Sequence, residues 1–217
     1  MNPLVPPGVY APQEDTELLA GALFDETLPT DAEVLDVGTG TGALALEAAR
    51  RGFRVTAVDV SRRAVWAARL NAARAGLPVR IRHGNLFEPV LGESFDLILA
   101  NPPYVPAPGR ARQPRGAARA WDAGDDGRLV VDRICREAPG LLRPGGVLLL
   151  VQSALSGPDL TVQHLRAAGL KAAVTRRRRI AFGPVVRGRE RWLRERGLLA
   201  TAENREELVV IRAELPV

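Results

Sequence analysis

Four apolar runs in this 217-residue chain show no polar–apolar alternation: Val34–Val37, Val55–Val58, Leu97–Ala100 and Val147–Val151. A strand with one wet face must alternate, so such runs belong to strands covered on both faces, as in a parallel sheet flanked by helices. Segments of helical spacing separate them, at 42–51, 61–76 and 127–142. Ser61 suits the N-cap of the second helix, and Gly76, shortly before Pro78, suits its stop. Strand–helix alternation of this kind builds right-handed βαβ units, so the fold class expected is α/β, a doubly wound, mostly parallel sheet.

The flanking segments complete the sheet. The alternating stretch 79–85 reads as an edge strand, and 12–28 as a helix with Leu18, Leu19, Ala22 and Leu23 on one face. Glu14 and Asp15 would then sit at its positive end. A helix is expected at 160–169, then two long strands, 171–182 and 206–215, joined through a short helix at 189–197. That connection is too short for a parallel crossover, so the two strands form an antiparallel pair at the sheet edge. The expectation is one domain over 1–217, with an N-terminal segment and helix (1–30). Residues 104–125, which lack periodicity, form a substrate loop or lid. Trp121 falls in that loop, and Trp66 is expected to pack in a helix face.

Composition narrows the class. The chain is 46% hydrophobic and 25% charged, with no apolar run near membrane-spanning length and no secretory pattern at its start. One cysteine, Cys135, and two histidines, His83 and His164, make no metal cluster, so a cytoplasmic protein without metal is expected. The net charge is +5 and all but one of the 30 basic residues are arginine. Acidic partners fit that balance, and so does a general composition bias.

Chemistry gathers after the first and fourth strands. "VLDVGTGTG" (34–42) runs from a strand into a glycine turn, where Gly38, Gly40 and Gly42 admit a ligand close to the backbone. Asp59 closes the second strand, where a doubly wound fold places a carboxylate for ribose hydroxyls. Asp36 would repel a pyrophosphate but attract an ammonium group. S-adenosylmethionine carries an ammonium, a ribose and no phosphate, so it suits both acids. "DLILANPPYVP" (96–106) ends a strand in Asn101-Pro102-Pro103-Tyr104. Two acceptors, the Asn101 side-chain oxygen and the Pro102 carbonyl, can grip both hydrogens of a planar NH₂ and aim its nitrogen at a methyl donor. The prolines hold these acceptors rigidly, and Tyr104 offers a face for stacking.

On these motifs the chain resembles class I S-adenosylmethionine-dependent methyltransferases. It is most similar to the HemK/PrmC-related release-factor glutamine N5-methyltransferases, in the short branch without the amino-terminal helical domain. "VYAPQEDTELLAGAL" and "AARAWDAGDDGRLVVDR" carry the resemblance beside the two motifs above. It implies a seven-stranded sheet with one antiparallel strand inserted between neighbours, and S-adenosylhomocysteine as product. It also implies Thr16, Asp36, Gly38, Asp59 and Leu86 at the cofactor, and Asn101 at cofactor and substrate alike. Asn85 stands where the family has an aspartate near the adenine amine, and its amide oxygen can still accept. The implied substrate is the glutamine of a Gly-Gly-Gln motif in a translation release factor, and the short branch works with a small activator subunit. Methylation of adenine N6 or guanine N2 in nucleic acid is the rival, with Arg176–Arg179 and 187–196 on phosphates. A small-molecule N-methyltransferase is a third reading.

Overall fold

In a computed structural model that describes residues 3–108 and 123–217, the four unalternating runs form the middle of one seven-stranded sheet, ordered β3-β2-β1-β4-β5-β7-β6. Its strands are β1 (Glu33–Val37), β2 (Arg54–Asp59), β3 (Val79–His83), β4 (Phe95–Ala100), β5 (Leu142–Ser153), β6 (Lys171–Ala181) and β7 (Arg205–Glu214). The first five pair in parallel, while β7 lies antiparallel between β5 and β6. That is the inserted strand the resemblance implied, and β3 is the edge strand its alternation announced.

The helices are α1 (Glu14–Asp25), α2 (Ala43–Arg50), α3 (Arg62–Ala75), α4 (Val131–Glu137), α5 (Pro158–Ala167) and α6 (Pro184–Glu195). Two apolar layers sandwich the sheet. Leu19, Leu23, Leu44 and Leu193 from α1, α2 and α6 cover one face, and Ile134 and Leu165 from α4 and α5 cover the other. Ser61 caps α3 by accepting from the Ala64 N–H at 3.4 Å, and Gly76 stops it at φ 65°. No helix among the described residues is long and apolar enough to cross a membrane.

Three boundaries and one side chain differ from the sequence expectation. β5 starts at Leu142, five residues before its apolar run, through a register shift opposite Phe95 and Leu97. The helix expected over 127–142 shrinks to α4 and then tightens into a 3₁₀ turn, Ala138–Leu141, at Pro139. Proline cannot continue the α-helical ladder. α6 begins at Pro184, ahead of the expected 189, because proline is suited to a first helical turn. Trp66, expected to pack, is 57% exposed.

Candidate active site

The carboxyl ends of the parallel neighbours β2, β1 and β4 lie side by side. The N–H groups of Gly38 and Thr39 donate to the Val58 carbonyl at 2.9 and 3.0 Å, turning the chain sharply out of β1. Gly40, at φ 56°, donates to Asp59 Oδ2 at 2.9 Å, and the Ser61 N–H donates to Asp59 Oδ1 at 2.7 Å. Asp59 is thus fixed with lone pairs to spare, and burial raises its pKa. A side chain on Gly40 would meet nothing nearer than the Tyr10 carbonyl at 3.9 Å, so this part of the turn faces open space. Gly42 differs: a Cβ there would lie 3.2 Å from Ala68 Cβ, at φ 86°. The structure therefore gives Gly42 a packing role in the seam between α2 and α3.

Asp36 is 1% exposed. Its Oδ2 accepts from Thr39 Oγ1 at 2.6 Å and from the Ala45 N–H at 3.1 Å, while Oδ1 is buried with no partner. Burial pushes this carboxyl up to about 6. A buried acceptor left open is costly, and a cationic donor is what would satisfy it. The open carboxylate oxygen, the bare turn at Gly40 and the anchored Asp59 together fit the sulfonium amino acid and ribose expected from sequence.

Asn101 follows β4, and its Nδ2 lies 3.5 Å from Thr16 Oγ1 on α1, in donor geometry. The fold thus brings together these two residues, 85 positions apart in the chain. The Asn101 side-chain oxygen keeps no donor among the described residues, as a substrate grip requires. Tyr104 is held from behind. Its hydroxyl donates to Asp15 Oδ2 at 2.9 Å, and Tyr10, the chain's other tyrosine, donates to the same oxygen at 2.7 Å. Oδ1 of Asp15 takes the Thr16 N–H at 2.6 Å. Burial and the nearby carboxylates push both phenols above their ordinary pKa, so they stay protonated donors.

The tyrosine-and-aspartate pin was missed from sequence. Asp15 reads there only as a charge suited to the helix's positive end, yet it is 2% exposed. The available signal was that, of the chain's two tyrosines, one stands shortly before Asp15 and the other closes Asn101-Pro102-Pro103-Tyr104. Tyr104 itself, at 9% exposed, packs in the core, which leaves little of its ring for the stacking expected. Pro102 is buried and Pro103 half-buried.

The expected lid has a described base. Ala123 N–H donates to the Val105 carbonyl at 3.3 Å and Ala107 N–H to the Gly124 carbonyl at 2.9 Å. Arg189 of α6 donates to the Pro106 carbonyl at 3.0 Å. Gly127 passes so close that a Cβ would sit 2.4 Å from the Tyr104 carbonyl. The middle of the loop, 109–122 with Trp121, lies outside the described residues.

Beyond β3, the Gly84 N–H donates to the Asp59 carbonyl at 3.0 Å, which brings Asn85 and Leu86 beside the second strand end. Leu86 has φ 50°, and among the described residues no other non-glycine has positive φ. Such strain in a bulky residue is tolerated where a site needs it. Asn85 is less free than expected. Its Oδ1 accepts from Arg133 at 3.0 Å and its Nδ2 donates to Glu88 at 2.9 Å, leaving one lone pair on the oxygen.

Comparison with known proteins gives the family. The family model described as methyltransferase small domain matches residues 4–113. The chain belongs to that family. This methyltransferase is 36% identical, over 177 residues, to a Methanocaldococcus jannaschii protein provisionally named a protein N5-glutamine methyltransferase. The match covers 81% of this chain and 88% of that one. It is 40% identical to the release factor glutamine methyltransferase of Deinococcus radiodurans, over 85% of this chain and 66% of the relative. Its fold resembles the solved E. cuniculi Mtq2-Trm112 complex, responsible for methylation of the eRF1 translation termination factor. The TM-score is 0.69 at 24% identity, covering 96% of this methyltransferase and 99% of the solved chain.

Proposed function

We propose that this methyltransferase uses S-adenosylmethionine to methylate the side-chain nitrogen of a glutamine, in the Gly-Gly-Gln motif of a translation release factor. The observation that carries this reading is the Asn101 amide, with its nitrogen turned to Thr16 and its oxygen open at the end of β4. The names of the two sequence relatives support the same substrate class.

The cofactor, when bound, supplies an electrophilic methyl group on a sulfonium. Asp36 Oδ1 holds its ammonium, Asp59 its ribose hydroxyls, and Gly38, Gly40, Thr16, Asn85 and Leu86 shape the wall around it. Asn101 Oδ1 and the Pro102 carbonyl accept the two hydrogens of the target amide. An amide nitrogen has a delocalised lone pair, so its reactivity depends on being held out of plane and aimed, which fixed acceptors accomplish. Pro103 stiffens the loop, and Tyr104, pinned on Asp15, keeps it from swinging. Once methylated, the nitrogen sheds its surplus proton to water. The setting is cytoplasmic, and the proposal includes a small partner subunit, in line with the two-protein E. cuniculi complex.

Nucleic-acid methylation finds less support. Arg176 pairs with Asp25, Arg177 with Glu207, Arg178 with Glu17 and Arg179 with Glu207, while Arg191 and Arg194 of α6 pair with Glu195 and Glu190. Most of the guanidinium groups imagined on phosphates in these runs already pair with acids of the chain itself. The test is mass spectrometry of purified termination factors after incubation with methyl-labelled cofactor. A labelled Gly-Gly-Gln glutamine is expected; label only on tRNA or rRNA bases would overturn the substrate assignment.

A further inference from the structure

Among the described residues most arginines have a partner within the fold, and the exceptions are not scattered. Besides the pairs on β6 and α6, Arg54 and Arg80 meet Glu33, Arg143 meets Asp96, and Arg69, Arg166 and Arg187 donate to carbonyls. Arg196 lies over the Trp192 ring. Among the described residues, only Arg62, Arg63, Arg74, Arg136 and Arg205 lack an acidic, carbonyl or aromatic partner. Three of these are on α3, whose sequence "RRAVWAARLNAARA" contains no acid at all. Arg62 and Arg63 are adjacent and exposed, and with Pro6, Pro7 and the exposed Trp66 they line a surface groove of about 520 Å³. An exposed tryptophan beside unpaired guanidinium groups is the residue pairing that dominates protein-binding hot spots.

We infer that this groove is a docking site for an acidic segment of the protein substrate, one that seats an apolar side chain against Trp66. The inference rests on the substrate class proposed above. Charge complementarity names the partner: two neighbouring guanidinium groups without acids want carboxylates, and the Pro6, Pro7 and Trp66 walls want an apolar side chain between them. Location fits a substrate contact, because Arg62 follows Asp59 after only Val60 and Ser61, and the Pro6–Pro7 wall leads on to Tyr10 of the pin. A nucleic-acid backbone is disfavoured, since it needs a long row of free cations. The arginine-rich β6 lies at the opposite edge of the sheet from β3 and is neutralised.

The test uses the full chain, with any activator subunit the wild type requires, and two variants: Arg62→Glu/Arg63→Glu and Trp66→Ala. All three positions are exposed, and unchanged melting temperatures establish that the variants fold. For the charge-reversed variant, KM for an intact termination factor is expected to rise by about tenfold or more, with kcat unchanged. A short Gly-Gly-Gln peptide should be methylated as by wild type, and S-adenosylhomocysteine should bind equally well. Unchanged KM for the intact factor, or an equal loss on the short peptide, would overturn the docking site. A second readout does not depend on which protein is methylated: binding of a fluorescein-labelled Glu-rich peptide carrying one Phe, against a labelled uridine oligonucleotide of equal charge. Peptide binding that is lost in both variants supports the site. Tighter binding of the oligonucleotide, or peptide binding untouched by the substitutions, rejects it. Failure of the wild type to methylate any termination factor would sink the proposed substrate, while the peptide result would still judge the groove.

Discussion

Asn101 sits where the two halves of the crevice meet, with its nitrogen on Thr16 and its oxygen open. Asn101→Ala is therefore expected to lower turnover by about 10²–10³-fold, the usual loss for one positioned polar group, while S-adenosylhomocysteine binding changes little. Parallel titration and single-turnover assays check this, and an equal fall in both would make Asn101 a cofactor residue alone. Asp36 yields a pH signature. Its folded pKa, about 6, lies above its ordinary 3.8 because of burial. The folded chain thus holds a proton there that the unfolded chain has released, so the Asp36 contribution to stability declines as pH rises through that window. An ammonium ligand needs the ionised form, so cofactor affinity should climb from about pH 5 to about pH 7. Isothermal titration at several pH values tests it; Asp36→Asn should bind weakly and lose that climb. Both residues were legible in the sequence because each belongs to a short contiguous motif. Asp15 was not, because its second role depends on Tyr104, 89 positions away.

At the scale of elements, the glycine turn after β1 is open at Gly40 and tightly packed at Gly42. Gly42→Ala places a methyl 3.2 Å from Ala68 at a positive φ, wedging α2 from α3. A loss of about 1–3 kcal/mol is expected, read from the urea midpoint, with cofactor affinity per folded molecule nearly kept. Helix and strand identities followed from periodicity, and several ends did not. β5 reaches back to Leu142 because its early residues lie opposite Phe95 of β4, a partner invisible in a local pattern. The short α4 and the early start of α6 both turn on prolines, Pro139 and Pro184, whose effect on a helix depends on which end they occupy.

On the scale of the whole molecule, the arginine excess that suggested phosphate binding is, among the described residues, largely partnered inside the fold. Sequence displays the run Arg176–Arg179 as a unit, but a strand sends alternate side chains to opposite faces. Arg176 and Arg178 meet α1 acids while Arg177 and Arg179 meet Glu207. The inserted strand has a further effect on cooperativity. In native-state hydrogen exchange, amides of β6 are expected to open together with those of β7 and ahead of β1 and β4, since β6 pairs with β7 alone. Earlier β6 opening, independent of β7, would refute that coupling. During synthesis the same arrangement leaves β6 waiting: it emerges from the ribosome some two dozen residues before β7, the strand it pairs with. Until residues 205–214 follow, β5 also offers a bare flank, and through that interval the growing chain is open to wrong pairing.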